Sequence, residues 1–269
     1  MIDSRKHGPI AVVTGAAGSM GGAIAAQLAS EAWPLVLCDL QPERLEMLKG
    51  ELRTNSPSVE LLAGDIGDVG YVARLDAVLA SRDVGVFIHA AGLSPTMADA
   101  TRILRVNFDA TARLVEMIRP KMVAGGCVVL IASSAGHMVK SVELDRALDE
   151  AVLARSSDGL KQFAPNSQMA YTTSKRAVIR LVAQEAGAFG KRGARIVSIS
   201  PGLIDTAMTR SERAASTQMD GLLARTPLGR LGTANEIASV AVFLCSKGAS
   251  YITGCDIRVD GGTLAALGL

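Results

Sequence analysis

The sequence predicts an α/β fold: one domain built on a doubly wound, seven-stranded parallel sheet with helices on both faces. Three observations predict it. Short apolar runs of β type alternate with helical patterns along the chain, the arrangement of βαβ units. The first run leads into a glycine-rich turn and then a helix, the context in which such a turn has meaning. The second run ends in an acid, Asp39, eighteen residues beyond Gly21.

The first strand is expected at Ile10–Val13, followed by Thr14-Gly15-Ala-Ala-Gly-Ser-Met-Gly-Gly22. Ile24 and Leu28 then fall on one helix face. Gly15 permits the turn, and Gly21 lets the backbone approach a pyrophosphate. The helix start offers free N–H groups and a positive dipole end to phosphates. Taken alone, the loop could equally be a turn that merely uses glycine.

The second strand, Leu35–Cys38, ends at Asp39. An acid at this distance receives the adenosine ribose hydroxyls of NAD. Its charge repels a 2′-phosphate, and no basic residue lies in Ala16–Gly18. The plainer reading is an acid that opens the next helix, with Pro42 in its first turn. The third strand, Val59–Leu62, leads to Asp65, which fits either of two roles: partner of the adenine amine, or helix N-cap. Further strands are expected at Val84–Ile88, Cys127–Ile131, Arg195–Ser198 and Asp256–Val259. Thr233-Ala-Asn-Glu236 reads as a capping box opening the apolar helix Ile237–Leu244. No repeat, low-complexity tract or linker divides residues 1–269.

Tyr171 and Lys175, in Gln168-Met-Ala-Tyr-Thr-Thr-Ser-Lys-Arg176, lie four apart and share a helix face. Tyrosine is a poor acid at neutral pH, with a reference pKa of about 10. An ammonium about 4 Å away, at an effective dielectric near 20, supplies roughly 4 kcal/mol. That corresponds to roughly three pKa units. The pair can make a phenol that exchanges protons near neutrality. Such pairs are more often a half-buried ring beside a solvated charge, so the upstream nucleotide loop is what makes this one matter.

Composition narrows the function classes. The net charge of +2 implies no nucleic-acid partner. Met1–His7 is short and charged, unlike a signal peptide, and no uninterrupted apolar run suits a membrane span. Cys38, Cys127, Cys245 and Cys255 lie in apolar runs without paired spacing, which predicts buried free thiols and no metal site. These features together predict a cytoplasmic protein.

The order Thr14-Gly15…Gly21, Asp39, Asp65, Ala90-Ala-Gly92, Asn107, Ser133, Tyr171…Lys175, Pro201-Gly202…Thr206 and Asp260-Gly-Gly262 resembles the short-chain dehydrogenase/reductase family over nearly the whole chain. Each motif is weak, but their joint order and spacing are specific. The resemblance implies a Rossmann domain and an NAD-dependent alcohol dehydrogenase or ketoreductase. It implies catalytic roles for Asn107, Ser133, Tyr171 and Lys175. Tyr171 would be the acid in reduction and the base in oxidation. Lys175 would depress its pKa and hold the nicotinamide ribose. Ser133, in Ser133-Ser-Ala-Gly136, would hydrogen-bond the substrate oxygen, and Asn107 would hold a relay water. The cofactor site implied is Gly15, Ser19, Met20, Gly21, Asp39, Leu40, Asp65, Ile66, Ala91, Gly92, Tyr171, Lys175, Pro201, Gly202, Ile204 and Thr206, with Thr206 on the carboxamide.

Two positions depart from the family pattern. Ser19 stands where glycine is usual, and would either donate to a phosphate or cap the helix. His89 opens His89-Ala-Ala-Gly92 where asparagine is usual. It is expected to end a buried strand, satisfy its ring nitrogens locally and take no part in catalysis.

Ser133 and Tyr171 are thirty-eight residues apart, against a dozen or so in the common pattern. The extra material, about residues 137–166, carries Leu144, Leu148, Ala151 and Val152 at helical spacing. It could wall the pocket, control assembly or decorate the surface. A similar insertion occurs in the bacterial 3α-hydroxysteroid dehydrogenase/carbonyl reductases, which Ala91-Gly-Leu-Ser-Pro95 and Ala249-Ser-Tyr251 also resemble. A substrate loop is expected at about residues 207–226, with Met208, Met219, Leu222 and Leu223 facing Leu93, Met97 and Met138. The substrate expected is a bulky apolar secondary alcohol or its ketone, such as a hydroxysteroid. The alternatives are another small carbonyl substrate, or a non-catalytic NAD-binding regulator, against which the intact set of four catalytic residues argues. Assembly is expected to be a homodimer, or else a tetramer.

Overall fold

The structure, a computed structural model, describes residues 8–215 and 218–269. The expectation for Met1–His7, and Ser216 and Thr217 within the expected substrate loop, lie outside the described residues.

Seven strands form one sheet: β1 (Ile10–Thr14), β2 (Leu35–Asp39), β3 (Val59–Ala63), β4 (Val84–His89), β5 (Met122–Ile131), β6 (Arg195–Pro201) and β7 (Asp256–Val259). Their order is β3-β2-β1-β4-β5-β6-β7, and every pairing is parallel. The helices are α1 (Ser19–Ser30), α2 (Pro42–Leu52), α3 (Tyr71–Leu79), α4 (Ala100–Leu104), α5 (Thr111–Ile118), α6 (Val142–Ala154), α7 (Ser167–Gly190), α8 (Ala207–Ala215), α9 (Gln218–Ala224), α10 (Ala234–Cys245) and α11 (Thr263–Ala266). The fold is the doubly wound Rossmann arrangement that the alternating pattern predicts.

Strand side chains alternate between two cores, which is why the strands read as unbroken apolar runs. Val12, Val36, Phe87, Val128 and Ile196 pack with Leu104, Phe108, Val115 and Leu181. Ala11, Val13, Leu37, Ile88 and Val129 pack on the other side with Ile24 and Leu28 of α1 and Ile237 and Ala241 of α10. The capping box holds as read: Thr233 Oγ1 accepts from the N–H of Glu236, whose carboxylate accepts from that of Thr233.

Strand order reverses between β1 and β4, opening a crevice at their carboxyl ends. β5 begins at Met122, earlier than the expected Cys127, because Gly125 with φ 80° and Gly126 allow a bulged lead-in beside β4. Between α4 and α5 lies a π turn, Arg105–Ala110, that holds Asn107. The segment expected as a substrate loop is largely helical, as α8 and α9.

The insertion forms α6, capped by Ser141 Oγ on the N–H of Leu144 at 3.0 Å. Leu144, Leu148, Ala151 and Val152 are buried. Asp145 and Asp149 receive Arg176 and Arg180 of α7, with Nε–oxygen distances of 2.9 and 3.0 Å. The buried Glu185 of α7 pairs with Arg119 at 2.7 Å and with Arg155. An apolar stripe and four-residue charge spacing thus seat α6 along α7.

The cysteine expectation needs correction at Cys255, which is exposed beside the edge strand β7, while Cys245 is half-buried and Cys38 and Cys127 are buried. Chain folding also brings the Cys127 and Cys245 thiols close enough to act on each other electrostatically, which their spacing of 118 residues conceals. Among the described residues no helix is long and apolar enough to cross a membrane, and no cluster of metal-ligating groups is present.

Candidate functional site

The crevice is a cleft of about 330 Å³ above the ends of β1, β2 and β4. Gly15 adopts φ 69°, and a Cβ there would lie 2.5 Å from the Ala91 nitrogen. A Cβ on Gly21 would lie 2.1 Å from the Gly15 carbonyl oxygen. Both positions therefore exclude a side chain, and the backbone itself forms the cradle. Gly15, Ser19, Met20 and Gly21 line it. The N-cap of α1 is Gly18, so Ser19 is the first helical residue and does not cap the helix.

Asp39, Leu40, Asp65 and Ile66 line the adjoining end. Asp39 Oδ2 accepts the N–H of Ala17 at 3.0 Å, and Oδ1 that of Gln41 at 3.2 Å. These bonds aim the carboxylate at the glycine turn. Asp65 caps no helix, because α3 begins at Tyr71. Its Oδ1 accepts the Gly67 N–H at 2.7 Å, and its other oxygen pairs with Arg102. Motif reading missed Arg102 and Arg44, both of which line the cleft. No local signal marks either one; helix packing carries them there.

Ala91, Gly92 and Thr206 line the remaining end. Thr206 Oγ1 accepts the Thr209 N–H at 3.1 Å and so caps α8. Pro201, Gly202 and Ile204, expected at the cofactor site, are not among the residues that line this cleft, and Ile204 lines a separate small pocket with Leu228 and Val259. Gly202 sits where a Cβ would be 2.6 Å from the Asp260 Cα, and Ile204 is buried against the α10 side of the sheet.

Tyr171 and Lys175 share one face of α7, with Lys175 Nζ 5.8 Å from the Tyr171 ring centroid. Lys175 is 7% exposed, and burial pulls its pKa down to about 8. Its Nζ donates to the Ile131 carbonyl at 2.8 Å. Ser133, two residues on, accepts the Ala135 N–H at 3.2 Å and caps a short 3₁₀ turn. A Cβ on Gly136 would lie 2.8 Å from the Arg176 nitrogen, so glycine lets this turn rest directly on the Lys175 segment.

Asn107 is 2% exposed. Its Oδ1 accepts the Leu93 N–H at 2.7 Å, and its Nδ2 donates to the Leu93 carbonyl at 2.9 Å and to Ser174 Oγ at 3.2 Å. Asn107 Oδ1 and Lys175 Nζ flank the same point beside Gly92, at 3.3 and 3.4 Å. His89 satisfies both ring nitrogens locally, Nδ1 with Thr14 and Nε2 with Thr111. Burial, and secondarily the Lys175 charge, pushes its pKa down to about 3.

A nicotinamide dinucleotide fits this donor set: a backbone cradle for phosphates, a carboxylate at the ribose end, and a buried cation beside a phenol. The family model described as short chain dehydrogenase matches residues 9–143, and that described as Enoyl-(Acyl carrier protein) reductase matches residues 139–263. The D-threitol dehydrogenase of Mycolicibacterium smegmatis is 30% identical over 271 residues, covering 97% of this chain and 94% of that protein. The galactitol 2-dehydrogenase (L-tagatose-forming) of Cereibacter sphaeroides is 29% identical, with 96% of each chain covered. A crystal structure of a short-chain dehydrogenase/reductase, glucose/ribitol dehydrogenase, from Brucella melitensis superposes with a TM-score of 0.76 at 28% identity, over 95% of this chain and 96% of that one. Motif order, sheet order and these likenesses agree that the chain belongs to the short-chain dehydrogenase/reductase family, whose members are oxidoreductases dependent on a nicotinamide cofactor.

Proposed function

We propose that the protein uses NAD to interconvert a bulky apolar secondary alcohol and its ketone. The observation that carries this reading is the buried, partly desolvated Lys175 on the same helix face as Tyr171. The bound cofactor would supply or accept the hydride; the protein orients it and manages one proton.

Tyr171 would give its phenolic proton to the ketone oxygen in reduction and take it back in oxidation. Lys175 lowers the cost of the phenolate by placing a positive charge beside the ring. The Ile131 carbonyl holds that ammonium in place. Ser133 Oγ would donate to the substrate oxygen, and Asn107 would serve the proton path through a relay water. At the ribose end, the Asp39 carboxylate supports NAD over NADP, because it repels a 2′-phosphate.

Leu93, Met97 and Met208 line the cleft and support an apolar substrate; Met138, after the Ser133 turn, is partly exposed nearby in sequence. A polyol is the second reading, supported by the named activities of the threitol and galactitol relatives. A turnover screen with NAD over steroid alcohols, terpenols, simple cyclic alcohols and linear polyols decides between them. Activity confined to polyols would overturn the apolar reading.

For assembly the reading is a homodimer through α10 and β7, with a tetramer as the alternative. Support comes from α6, which covers Arg176 and Arg180 on α7, and from the exposed Phe243 and Tyr251 near α10 and β7. Such an apolar patch can be self-complementary about a two-fold axis.

A further inference from the structure

Buried hydrogen bonds run unbroken from the glycine turn to the π turn. Thr14 and His89, the last residues of β1 and β4, are partners in register. Thr14 Oγ1 lies 2.7 Å from His89 Nδ1, and His89 Nε2 lies 2.8 Å from Thr111 Oγ1. Thr111 Oγ1 donates to the Asn107 main-chain carbonyl at 2.8 Å. All four residues are at most 3% exposed.

The chemistry sets the directions. The Thr111 hydroxyl has one proton, and it goes to Asn107. Thr111 therefore accepts from an Nε2–H on His89, and Nδ1 accepts from the Thr14 hydroxyl. A neutral imidazole in this tautomer satisfies every partner. Phe87 stacks against the ring, with centroids 6.3 Å apart and planes 4° from parallel, and so fixes its plane.

We propose that His89 is a positioning residue: through Thr111 it seats Asn107 against the Leu93 backbone and Lys175, and through Thr14 it ties that seat to the glycine turn. The proposal rests on the reading of Tyr171, Lys175 and Asn107 as the proton-handling set. A π turn relaxes the regular spacing of helix carbonyls, so Asn107 needs an anchor that the helix does not provide. An apolar residue at the end of β4 could fill the space. It could not hold Thr111 in the orientation that grips the Asn107 carbonyl.

Thr111→Val keeps the shape and breaks the chain; His89→Phe keeps a ring and removes both bonds; Thr111→Ser restores the hydroxyl. With NAD and the best alcohol of the screen, Thr111→Val and His89→Phe should each lower kcat by up to roughly 100-fold, the scale of a catalytic group misplaced by about 1 Å. They should also shift the pH limb of kcat, while NADH binding by fluorescence titration stays close to wild type. Thr111→Ser should recover most of kcat. In the protein without cofactor, hydrogen exchange at the Leu93 N–H should quicken in Thr111→Val, because Asn107 Oδ1 holds that group. Wild-type kcat, pH limb and Leu93 exchange in folded Thr111→Val would overturn the proposal, whatever its melting temperature and even if His89→Phe fails to fold. Tyr171→Phe, run alongside, separates the two readings. Full activity in Tyr171→Phe overturns the proton-transfer site, whereas full activity in Thr111→Val with an inactive Tyr171→Phe overturns only the role of His89.

Discussion

The ammonium of Lys175 donates to the carbonyl of Ile131 at 2.8 Å, tying the middle of α7 to the carboxyl end of β5. This bond joins the element that carries Tyr171 to the strand that leads to Ser133. It fixes the cation against the sheet, where burial pulls its pKa down to about 8.

Tyr171→Phe removes the transferable proton and keeps most of the packing. Turnover should fall by at least about 100-fold, the lower scale of acid–base catalysis, with NADH binding largely retained. Steady-state rates and a fluorescence titration check both halves. Near-normal turnover in the folded variant would remove Tyr171 from the mechanism.

The depressed Lys175 pKa has a stability consequence. The folded group titrates at about 8 and the unfolded one at the ordinary 10.5. Between these values the unfolded chain binds more protons, so this contribution to stability rises with pH. Above the upper value the contribution is complete, and it is lost as pH falls through about 8. Wild type should therefore gain stability relative to Lys175→Met as pH climbs across that window. Thermal melts of both proteins test it; parallel curves would show that Lys175 is not desolvated.

Asp39→Ala should weaken NAD binding and narrow the preference over NADP. Arg44 lines the same cleft, hydrogen-bonded to Gln41 at 3.4 Å, and becomes the nearby cation for a 2′-phosphate. Adding Arg44→Ala should then reduce the NADP gain. Equal wild-type kcat/KM with both cofactors would defeat this view of Asp39.

Replacing Val142–Lys161 by a flexible turn removes α6 and exposes the α7 face that holds Arg176 and Arg180. Substrate preference, oligomeric mass or both should change, while NAD binding survives. Light scattering and kinetics over the alcohol panel measure these together. If neither property moves, α6 contributes only its own packing.

The sequence by itself determined the glycine turn, the α6 stripe and where each strand lies, apart from the lead-in of β5, because each is encoded locally. Apolar runs mark strands buried on both faces, glycine marks a turn without room for Cβ, and spacing marks a helix face. It also determined the family, since its weak motifs stand in one order. Only the tertiary structure decided which partners meet. Arg102 reaches Asp65 across thirty-seven residues, and His89 links Thr14 to Thr111 across strand and helix. The early start of β5, the proximity of Cys127 to Cys245 and the exposure of Cys255 were equally hidden. The physical reason is the range of the interactions. Propensity and periodicity act over a few residues, whereas a buried hydrogen bond or ion pair depends on which distant segments the sheet order brings side by side.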